Sequence, residues 1–300
     1  MPELPEVETL RRQLAPLVEG RTLLRLEVLD PRWSRPLSPR RLAAALEGRR
    51  IERLGRRGKY LVWDFEGDVH LAQHLRMTGA LLWQPQGENQ HVRVRVQLAA
   101  LRGGRARSTH SGRARAAADC RDQLAIVDPR RFGTGQLLIS SSELERFFSA
   151  RLGLEPLDER FTAEHLRALA HGRRAPIKAL LLDQRRVAGV GNIYADEALF
   201  RARVHPLRAA GRLTRGQYAR LRDAAVQALS AGIDARGASI SDFHDLDGAR
   251  GAFQDQFLVH RRAGEPCVRC GTAITKIVAA GRGTYVCERC QRPPRPQRAS

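Results

Sequence analysis

The sequence predicts an α+β protein of several parts: an antiparallel β unit that opens with a helix, then a helical region, then a short hairpin that carries cysteines. Apolar residues recur at helical spacing near the start, and strand-like runs follow as far as Ile139. Helical periodicity returns from about Ser142. Four of the five cysteines lie near the C-terminus, and 300 residues suffice for about two domains whose cores need no disulfides.

The first half is expected to contain one helix and a set of strands. The helix runs from Pro5 to about Leu17, because apolar residues from Val7 onward share one face and Gly20 ends the pattern. The strand His91–Leu98 alternates valine with arginine, which predicts one buried and one cationic face. The other expected strands are Arg21–Leu29, Tyr60–Phe65, His70–Met77, Leu124–Val127 and Gly135–Ile139.

The second half is expected to be helical up to Gly237, after which strands and loops return. The expected helices are Glu143–Ala150, Ala163–Ala170, Pro176–Asp183, Ile193–Ala202 and Thr214–Ala231. Within the β unit, Ala99–Ala118 is rich in arginine and glycine and contains no acid, which predicts a flexible loop. This loop is either a tolerated surface insertion or an arm that contacts a polyanion.

The charge of the chain indicates the kind of partner. Lysine and arginine number 52 against 32 acidic residues, which gives a formal net charge of +20 at pH 7. This balance argues against small-molecule metabolism and for a polyanion, with nucleic acid first and an anionic membrane second. Only Lys59, Lys178 and Lys276 are lysines. A GC-rich genome could explain the choice of arginine but not the net charge.

Neither end of the chain predicts a membrane or export segment. No run of 18 apolar residues occurs, so no transmembrane helix is expected. Met1–Glu6 has no basic region and no apolar core, so no secretory signal is expected. Cysteines in CxxC pairs favour a reducing cytoplasm over a disulfide framework.

The cysteines give the strongest structural signal. Cys267-x-x-Cys270 and Cys287-x-x-Cys290 are separated by sixteen residues, so two thiolate pairs can meet across a hairpin. Four thiolates in this spacing predict one structural zinc ion with no open coordination position. A redox dithiol is disfavoured because no βαβ pattern accompanies the cysteines. Cys120 is expected to be an inert thiol.

Two further motifs point to chemistry. Two glycines precede Asn192 at the start of a predicted helix, which favours either an anion site or a simple helix cap. If Met1 is removed, Pro2 becomes a terminal secondary amine with a pKa of roughly 7.7–8.0, which can form a Schiff base. Glu3 and Glu6 would supply carboxylates for acid–base work. The alternative is that a proline-rich start has no function.

These features occur in an order that resembles the formamidopyrimidine-DNA glycosylases, which remove oxidised purines from DNA. The start Pro-Glu-Leu-Pro-Glu favours this branch over the endonuclease VIII branch, which typically starts Pro-Glu-Gly-Pro-Glu. The resemblance covers residues 2 to 290. The stretches that carry it are Pro2–Thr9, Arg57–Leu61, His74–Gly79, Asp128–Gly133, Leu152–Leu157, Gly189–Ala195 and Gly264–Cys267.

The resemblance implies roles for particular residues. Pro2 would attack C1′ of the damaged nucleotide, and Glu3 would assist ring opening and departure of the base. Lys59 would transfer protons in β-elimination, and Arg282 would act in δ-elimination. The implied DNA contacts are Met77, Arg130 and Phe132, which would fill the space left by the flipped nucleotide, together with His91, Arg173 and Asn192.

The chain departs from the family pattern at several places. Asn89 replaces the first histidine of a His-Asp-His motif, and Ser241 stands where lysine or arginine is frequent in the base-covering loop. Arg76 stands where many members have glycine. His260-Arg261 replaces the usual Tyr-Gly, and the Ala99–Ala118 insertion is longer than the usual connection.

The resemblance also implies a domain plan. Residues 2–140 would form a catalytic β-sandwich with a leading helix, and residues 150–236 a helical domain with a helix-two-turns-helix element. Residues 237–263 would form the base-covering loop and connection, and residues 264–291 a four-cysteine zinc-finger β-hairpin. Residues 292–300 would be a disordered basic tail.

The expected function is that of a bifunctional DNA glycosylase and abasic-site lyase of base excision repair. It would excise 8-oxoguanine and formamidopyrimidines by way of a Schiff base on Pro2, followed by β,δ-elimination. The alternatives are an enzyme specific for oxidised pyrimidines and a non-catalytic DNA-binding protein on the same scaffold. The expected partner is duplex DNA that contains oxidised bases, and no membrane. The protein is expected to be a bacterial, cytoplasmic, nucleoid-associated monomer.

Overall fold

A computed structural model describes residues 1–85, 87, 90–100, 122–239 and 243–294. Its helices are α1 (Leu4–Val18), α2 (Pro39–Leu46), α3 (Ser141–Ser149), α4 (Ala163–Ala170), α5 (Ile177–Leu182), α6 (Asn192–Arg201) and α7 (Arg215–Asp234), with 3₁₀ turns at Ala210–Arg212 and Phe253–Gln256. Its strands are β1 (Leu23–Val28), β2 (Ile51–Arg57), β3 (Tyr60–Phe65), β4 (Val69–His74), β5 (Ala80–Trp83), β6 (Val92–Leu98), β7 (Asp122–Val127), β8 (Thr134–Leu138), β9 (Thr275–Ala279) and β10 (Arg282–Val286). Predictions for Asn89, Cys120, Ser241, residues 101–118 and residues 295–300 lie outside these ranges.

Two antiparallel four-stranded sheets form the predicted β-sandwich. Their strand orders are β1-β6-β7-β5 and β2-β3-β4-β8. Apolar side chains from both sheets and from α1 share one core. The fold class expected from the sequence is therefore confirmed for this part of the chain.

The strand β6 corrects one expectation about its cationic face. Arg95 is exposed as predicted, but Arg93 is buried and its Nε donates to the carbonyl oxygen of Asp128 at 2.8 Å. The register of β6 against β7 shifts between Val92 and Val94. This irregularity breaks the simple alternation that the valine–arginine pattern predicts.

The helix α1 joins the two halves of the molecule. Its residues Val7, Leu10 and Leu14 pack in the sandwich core, whereas Leu4 packs in the core of the helical region. The first turn of α1 therefore lies at the junction of the two cores. This placement brings the N-terminus of the chain to the junction.

The helical region and the hairpin complete the fold. Helices α4 to α7 share a core in which Tyr194 and Phe253 stack with ring centroids 5.0 Å apart. Strands β9 and β10 pair as an antiparallel hairpin, and β10 packs against α6. Within the described part of the chain, no helix combines the length and apolar character that a membrane span requires.

Candidate active site at the N-terminus

A cleft of about 500 Å³ opens where the N-terminus of α1 meets the β2–β3 turn, the turn before α6 and the β9–β10 hairpin. Six of the predicted site residues line it: Pro2, Glu3, Lys59, Met77, Asn192 and Arg282. Four others lie outside its lining: His91, Arg130, Phe132 and Arg173. The fold thus brings together residues from all three parts of the chain.

The carboxylate of Glu3 is buried, at 2 % exposure, against the N-terminus of α6. Its Oε1 accepts a hydrogen bond of 3.0 Å from the backbone N–H of Ile193. Its Oε2 is buried and has no hydrogen-bond partner among the described residues. A buried carboxylate oxygen without a hydrogen-bond partner is costly, so this atom is a candidate for contact with a bound group.

Two glycines allow α1 to approach α6 this closely. A Cβ on Gly191 would lie 2.3 Å from Cδ of Glu3, and a Cβ on Gly189 would lie 2.5 Å from Cδ1 of Leu4. The sequence left open whether Asn192 caps its helix or the helix end binds a phosphate. The structure corrects the first alternative, because Gly191 is the N-cap, and it places the side chain of Glu3 at this helix end; phosphate binding there stays a prediction.

The carboxylate of Glu6 is hydrogen-bonded to the backbone of Glu3. Its Oε2 accepts the backbone N–H of Glu3 at 2.7 Å, and its Oε1 accepts the hydroxyl of Tyr194 and the N–H of Ala238, both at 2.8 Å. Burial and the nearby charge of Glu3 raise the pKa of Glu6 to about 7, against these three hydrogen bonds. The Tyr194 contact had no signal in the sequence.

Lys59 reaches the cleft from the turn between β2 and β3. The amine is buried, at 4 % exposure, and its Nζ donates to the carbonyl oxygen of Val190 at 3.0 Å. Burial lowers the pKa of Lys59; the carboxylate of Glu3 opposes this and the charge of Arg282 adds to it. A lowered pKa favours the neutral amine, so Lys59 can take up and release a proton more readily than an exposed lysine.

The turn that carries Lys59 is fixed by a carboxylate from the linker to the helical region. Glu155 accepts the backbone N–H of Gly58 at 2.6 Å and pairs with Arg56 through two hydrogen bonds of 2.9 and 2.8 Å. Arg56 also donates to Glu8 of α1 at 3.0 Å. These bonds set the position of Lys59 relative to α1.

Arg282 is exposed at the start of β10. A network of buried hydrogen-bonded side chains lies behind β10 and holds this strand in place. Lys178 donates 2.6 Å hydrogen bonds to Asp196 and to Thr284 of β10. The Nδ1 of His260 lies 2.8 Å from the other carboxylate oxygen of Asp196. Neither Asp196 nor this pairing was anticipated from the sequence.

The three lysines of the chain all lie around strand β10. Lys59 lies in the cleft with Arg282, Lys178 bonds Thr284, and the side chain of Lys276 lies across Gly283. Lys276 is exposed on the hairpin, and it also lines the cleft. All three lysines therefore lie around this one site, and arginine supplies the other cationic side chains of the sequence.

Asp128 organises the loop that carries Arg130 and Phe132. Its carboxylate accepts the backbone N–H of Phe132 at 2.8 Å and of Gly133 at 2.7 Å, and the hydroxyl of Thr78 at 2.5 Å. Phe132 is 50 % exposed, and the guanidinium of Arg130 lies 4.9 Å from its ring centroid. Thr78 lines the cleft, so Asp128 links the loop of this exposed aromatic to the cleft wall.

His91 and Arg173 lie away from the cleft. The carbonyl oxygen of His91 accepts the backbone N–H of Asp128 at 2.9 Å, next to the loop just described. Arg173 follows α4, and its Nε donates to the carbonyl oxygen of Leu169 at 2.7 Å. Their DNA contacts stay predictions from the family resemblance.

The four cysteines of the C-terminal motifs meet in one cluster. Their sulfur atoms all lie within 4.8 Å of one another, with Cys270 and Cys287 3.4 Å apart and Cys267 and Cys290 3.9 Å apart. A tetrahedral zinc ion with Zn–S bonds of about 2.3 Å needs sulfur separations of about 3.8 Å. The cluster therefore fits a structural zinc ion.

Comparisons with known proteins agree with this architecture. Family models match the formamidopyrimidine-DNA glycosylase N-terminal domain at residues 1–135, the glycosylase H2TH domain at residues 152–244, and a zinc finger found in FPG and IleRS at residues 264–293. The formamidopyrimidine-DNA glycosylase of Heliobacterium modesticaldum is 42 % identical over 97 % of this chain and its own full length.

Solved structures show the same fold. The MutM (FPG) protein of Thermus thermophilus is 41 % identical, with a TM-score of 0.81 over 97 % of this chain and 98 % of its own. A Lactococcus lactis FPG mutant in complex with DNA containing Fapy-dG is 33 % identical, with a TM-score of 0.85 over 97 % of this chain and its own full length. The chain belongs to the formamidopyrimidine-DNA glycosylase family.

Proposed function

We propose that this DNA glycosylase excises oxidised purines from duplex DNA and then cleaves the strand at the abasic site. The observation that carries the proposal is the unpartnered Oε2 of Glu3, which lies in one cleft with Pro2 and the buried amine of Lys59. The L. lactis relative solved with Fapy-dG DNA supports this class of lesion. The proposed partner is damaged duplex DNA, bound by a monomer in the bacterial cytoplasm and associated with the nucleoid.

The first step requires an extruded nucleotide. A base inside the duplex shields C1′, and extrusion costs a few kcal/mol of lost stacking. Met77 lines the cleft, and the half-exposed ring of Phe132 lies beside it on the Asp128 loop. These side chains would fill the vacated space and offset part of that cost.

The second step forms the covalent intermediate. After removal of Met1, the neutral nitrogen of Pro2 forms a bond to C1′ of the damaged nucleotide. Glu3 gives a proton to the ring oxygen as the sugar opens, and the bond between C1′ and the base breaks. The proton that leaves the Pro2 nitrogen passes to the departing base, and the nitrogen lone pair then forms the C=N bond of an iminium ion.

The third step is elimination. The iminium acidifies the C2′ proton, which neutral Lys59 removes as the 3′ phosphate leaves. A second elimination releases the 5′ phosphate beside Arg282, which neutralises the departing anion. The product is a one-nucleotide gap.

We also propose that the cysteine cluster holds one zinc ion with a purely structural role. Cys267, Cys270, Cys287 and Cys290 would be its ligands, which leaves no open position for chemistry. The ion would fix the base of the hairpin on which Arg282 and Lys276 are placed.

A borohydride trap tests the central claim. Reduction during reaction with an 8-oxoguanine duplex should yield a covalent complex, and peptide mass spectrometry should place the adduct on Pro2. A mass measurement of the free protein should show that Met1 is absent. An adduct on Lys59, or correctly processed protein that never yields a complex, would overturn the proposed nucleophile.

The lesion preference needs a separate measurement. Excision of 8-oxoguanine and of thymine glycol from otherwise identical duplexes distinguishes oxidised-purine from oxidised-pyrimidine specificity. We expect faster excision of 8-oxoguanine. A protein that binds both duplexes and cuts neither would instead be a non-catalytic member of the family.

A further inference from the structure

A second cavity, of about 330 Å³, continues from the cleft on the far side of Lys59. It shares Lys59 and Gln184 with the cleft. Three arginines line it, namely Arg76, Arg151 and Arg185. We call this cavity the arginine groove.

Arg76 occupies its place at a cost in backbone energy. Its φ of +57° lies in the left-handed region, which favours glycine and strains an ordinary residue. The side chain is exposed. The backbone N–H of Arg76 donates to Nδ1 of His74 at 2.9 Å.

That hydrogen bond fixes the state of His74 at the floor of the groove. Because Nδ1 accepts, the neutral ring carries its proton on Nε2. Burial, and then the charges of Arg76 and Lys59, lower the pKa of His74 to about 3. His74 is therefore a neutral hydrogen-bond donor beside the arginines across the working pH range.

Arg151 and Arg185 are held on the opposite side. The guanidinium of Arg151 lies 4.1 Å from the ring centroid of Phe147 and donates to the carbonyl oxygen of Phe147 at 3.0 Å. The backbone N–H of Arg185 donates to Asp183 at 3.1 Å. Asp183 is the one carboxylate among the residues that line the groove, and Arg186 pairs with it at 3.0 Å. The groove therefore keeps a clear excess of positive charge.

We propose that Arg76, Arg151 and Arg185 form an added phosphate-binding surface, which holds phosphodiester groups of the DNA strand as it leaves the cleft past Lys59. This inference rests on the proposed function. Each strand of DNA presents one phosphate per roughly 3.4 Å of helix axis, so a strand that passes Lys59 brings successive phosphates to the groove. Planar guanidinium groups suit such anions better than ammonium groups do.

The test measures how DNA affinity depends on salt. The triple variant Arg76→Gly, Arg151→Gln, Arg185→Gln removes the three charges, and glycine suits the left-handed backbone at position 76. With a duplex that carries an uncleavable tetrahydrofuran abasic analogue, the slope of log K against log salt should become shallower by about 2 to 3, at roughly 0.9 per phosphate. The matched control is Arg25→Gln, Arg40→Gln, Arg41→Gln, which removes three exposed charges outside both cavities. It should leave the slope near the wild-type value.

Shortened duplexes locate the effect. Trimming one flank of the lesion should abolish the difference between wild type and the triple variant, and trimming the other flank should preserve it. A triple variant with the wild-type slope, or a difference that survives both trimmings, would overturn the groove proposal. Failure of the wild-type protein to form the borohydride complex would instead overturn the proposed function.

Discussion

At the residue scale, Glu3 and Lys59 line the same cleft, and the proposed mechanism gives them opposite tasks. Glu3 keeps one carboxylate oxygen free of partners, and Lys59 keeps a buried amine whose charge burial disfavours. A carboxylic acid can give a proton to a departing oxygen, and a neutral amine can remove one from carbon. The distinction between lysine and arginine therefore matters at this position.

We expect Lys59→Arg to slow strand cleavage at a preformed abasic site by about 10²- to 10⁴-fold, because a guanidinium does not give up its proton. Single-turnover cleavage of an abasic duplex measures this. Lys276→Arg is the matched control, because Lys276 lines the same cleft but is exposed. It should retain most of the rate and the wild-type pH profile. A Lys59→Arg enzyme with a rate close to wild type would show that another group removes the proton.

Glu6 predicts a pH dependence of stability. Its pKa is raised from 4.5 to about 7 in the folded protein, mainly by burial and then by the charge of Glu3. A raised pKa means that the folded state favours the protonated form of Glu6. The stability that Glu6 contributes is therefore fully present below pH about 4.5 and is lost as the pH rises to about 7. The free energy of unfolding of wild type, relative to Glu6→Gln, should therefore fall across this window. Urea denaturation at several pH values measures it.

The Glu6 prediction has a control variant and an outcome that would contradict it. Glu52→Gln, at an exposed position, should follow the wild-type pH curve in parallel. If the curves of wild type and Glu6→Gln were also parallel between pH 4.5 and 7, Glu6 would not titrate in this range.

At the element scale, segments with a regular apolar pattern were predicted from the sequence, whereas segments with an irregular or very short pattern were missed. The helix expected from Pro5 to Leu17 is α1, because its apolar face is periodic. The strand β2 was missed because charged residues interrupt its apolar positions, and β5 because it has only four residues. The helix α2 was missed although Ser38 caps it and Pro39 begins it. The strand expected to reach Met77 ends at His74, since Arg76 turns the chain.

The residues of the site also divide into those that the sequence predicted and those that it did not. Local motifs predicted Pro2, Glu3 and the four cysteines, and the family resemblance predicted Lys59; the structure places Pro2, Glu3 and Lys59 in one cleft and the cysteines in one cluster. The network around Asp196 was missed because its partners Lys178 and His260 stand 18 and 64 residues away. Pairings at such separations depend on how α5, α6 and the hairpin pack, and no local pattern records them.

The hairpin leads to a prediction about zinc. The cysteine cluster fixes its base, and bonds from Lys178 and Asn192 fix β10 near Arg282. Chelation should therefore loosen the cluster without unfolding the sandwich, and DNA affinity should fall by about 10- to 100-fold. Metal analysis before and after chelation, with DNA titration of both samples, measures this. Zinc-free protein that binds DNA normally would show that the hairpin plays no part in binding.

At the scale of the whole molecule, α1 couples the two halves. Leu4 packs with the helical region and Val7 with the sandwich, while Arg56 bridges Glu8 to Glu155. A change in the angle between the halves would move Glu3 relative to Lys59. The proposed chemistry therefore depends on the same contacts that hold the halves together.

The net charge of +20 predicts steep salt dependence of DNA binding. A protein that neutralises 6–10 phosphates loses about 10³- to 10⁵-fold in affinity between 50 and 200 mM salt, because bound counterions are released. Fluorescence anisotropy with an abasic-analogue duplex and with undamaged DNA measures both affinities over this range. Both should weaken steeply, and the ratio between them should change far less, because extrusion and wedge contacts release few counterions. A dissociation constant insensitive to salt would rule out a cleft that holds DNA by its phosphates, whatever the protein's net charge.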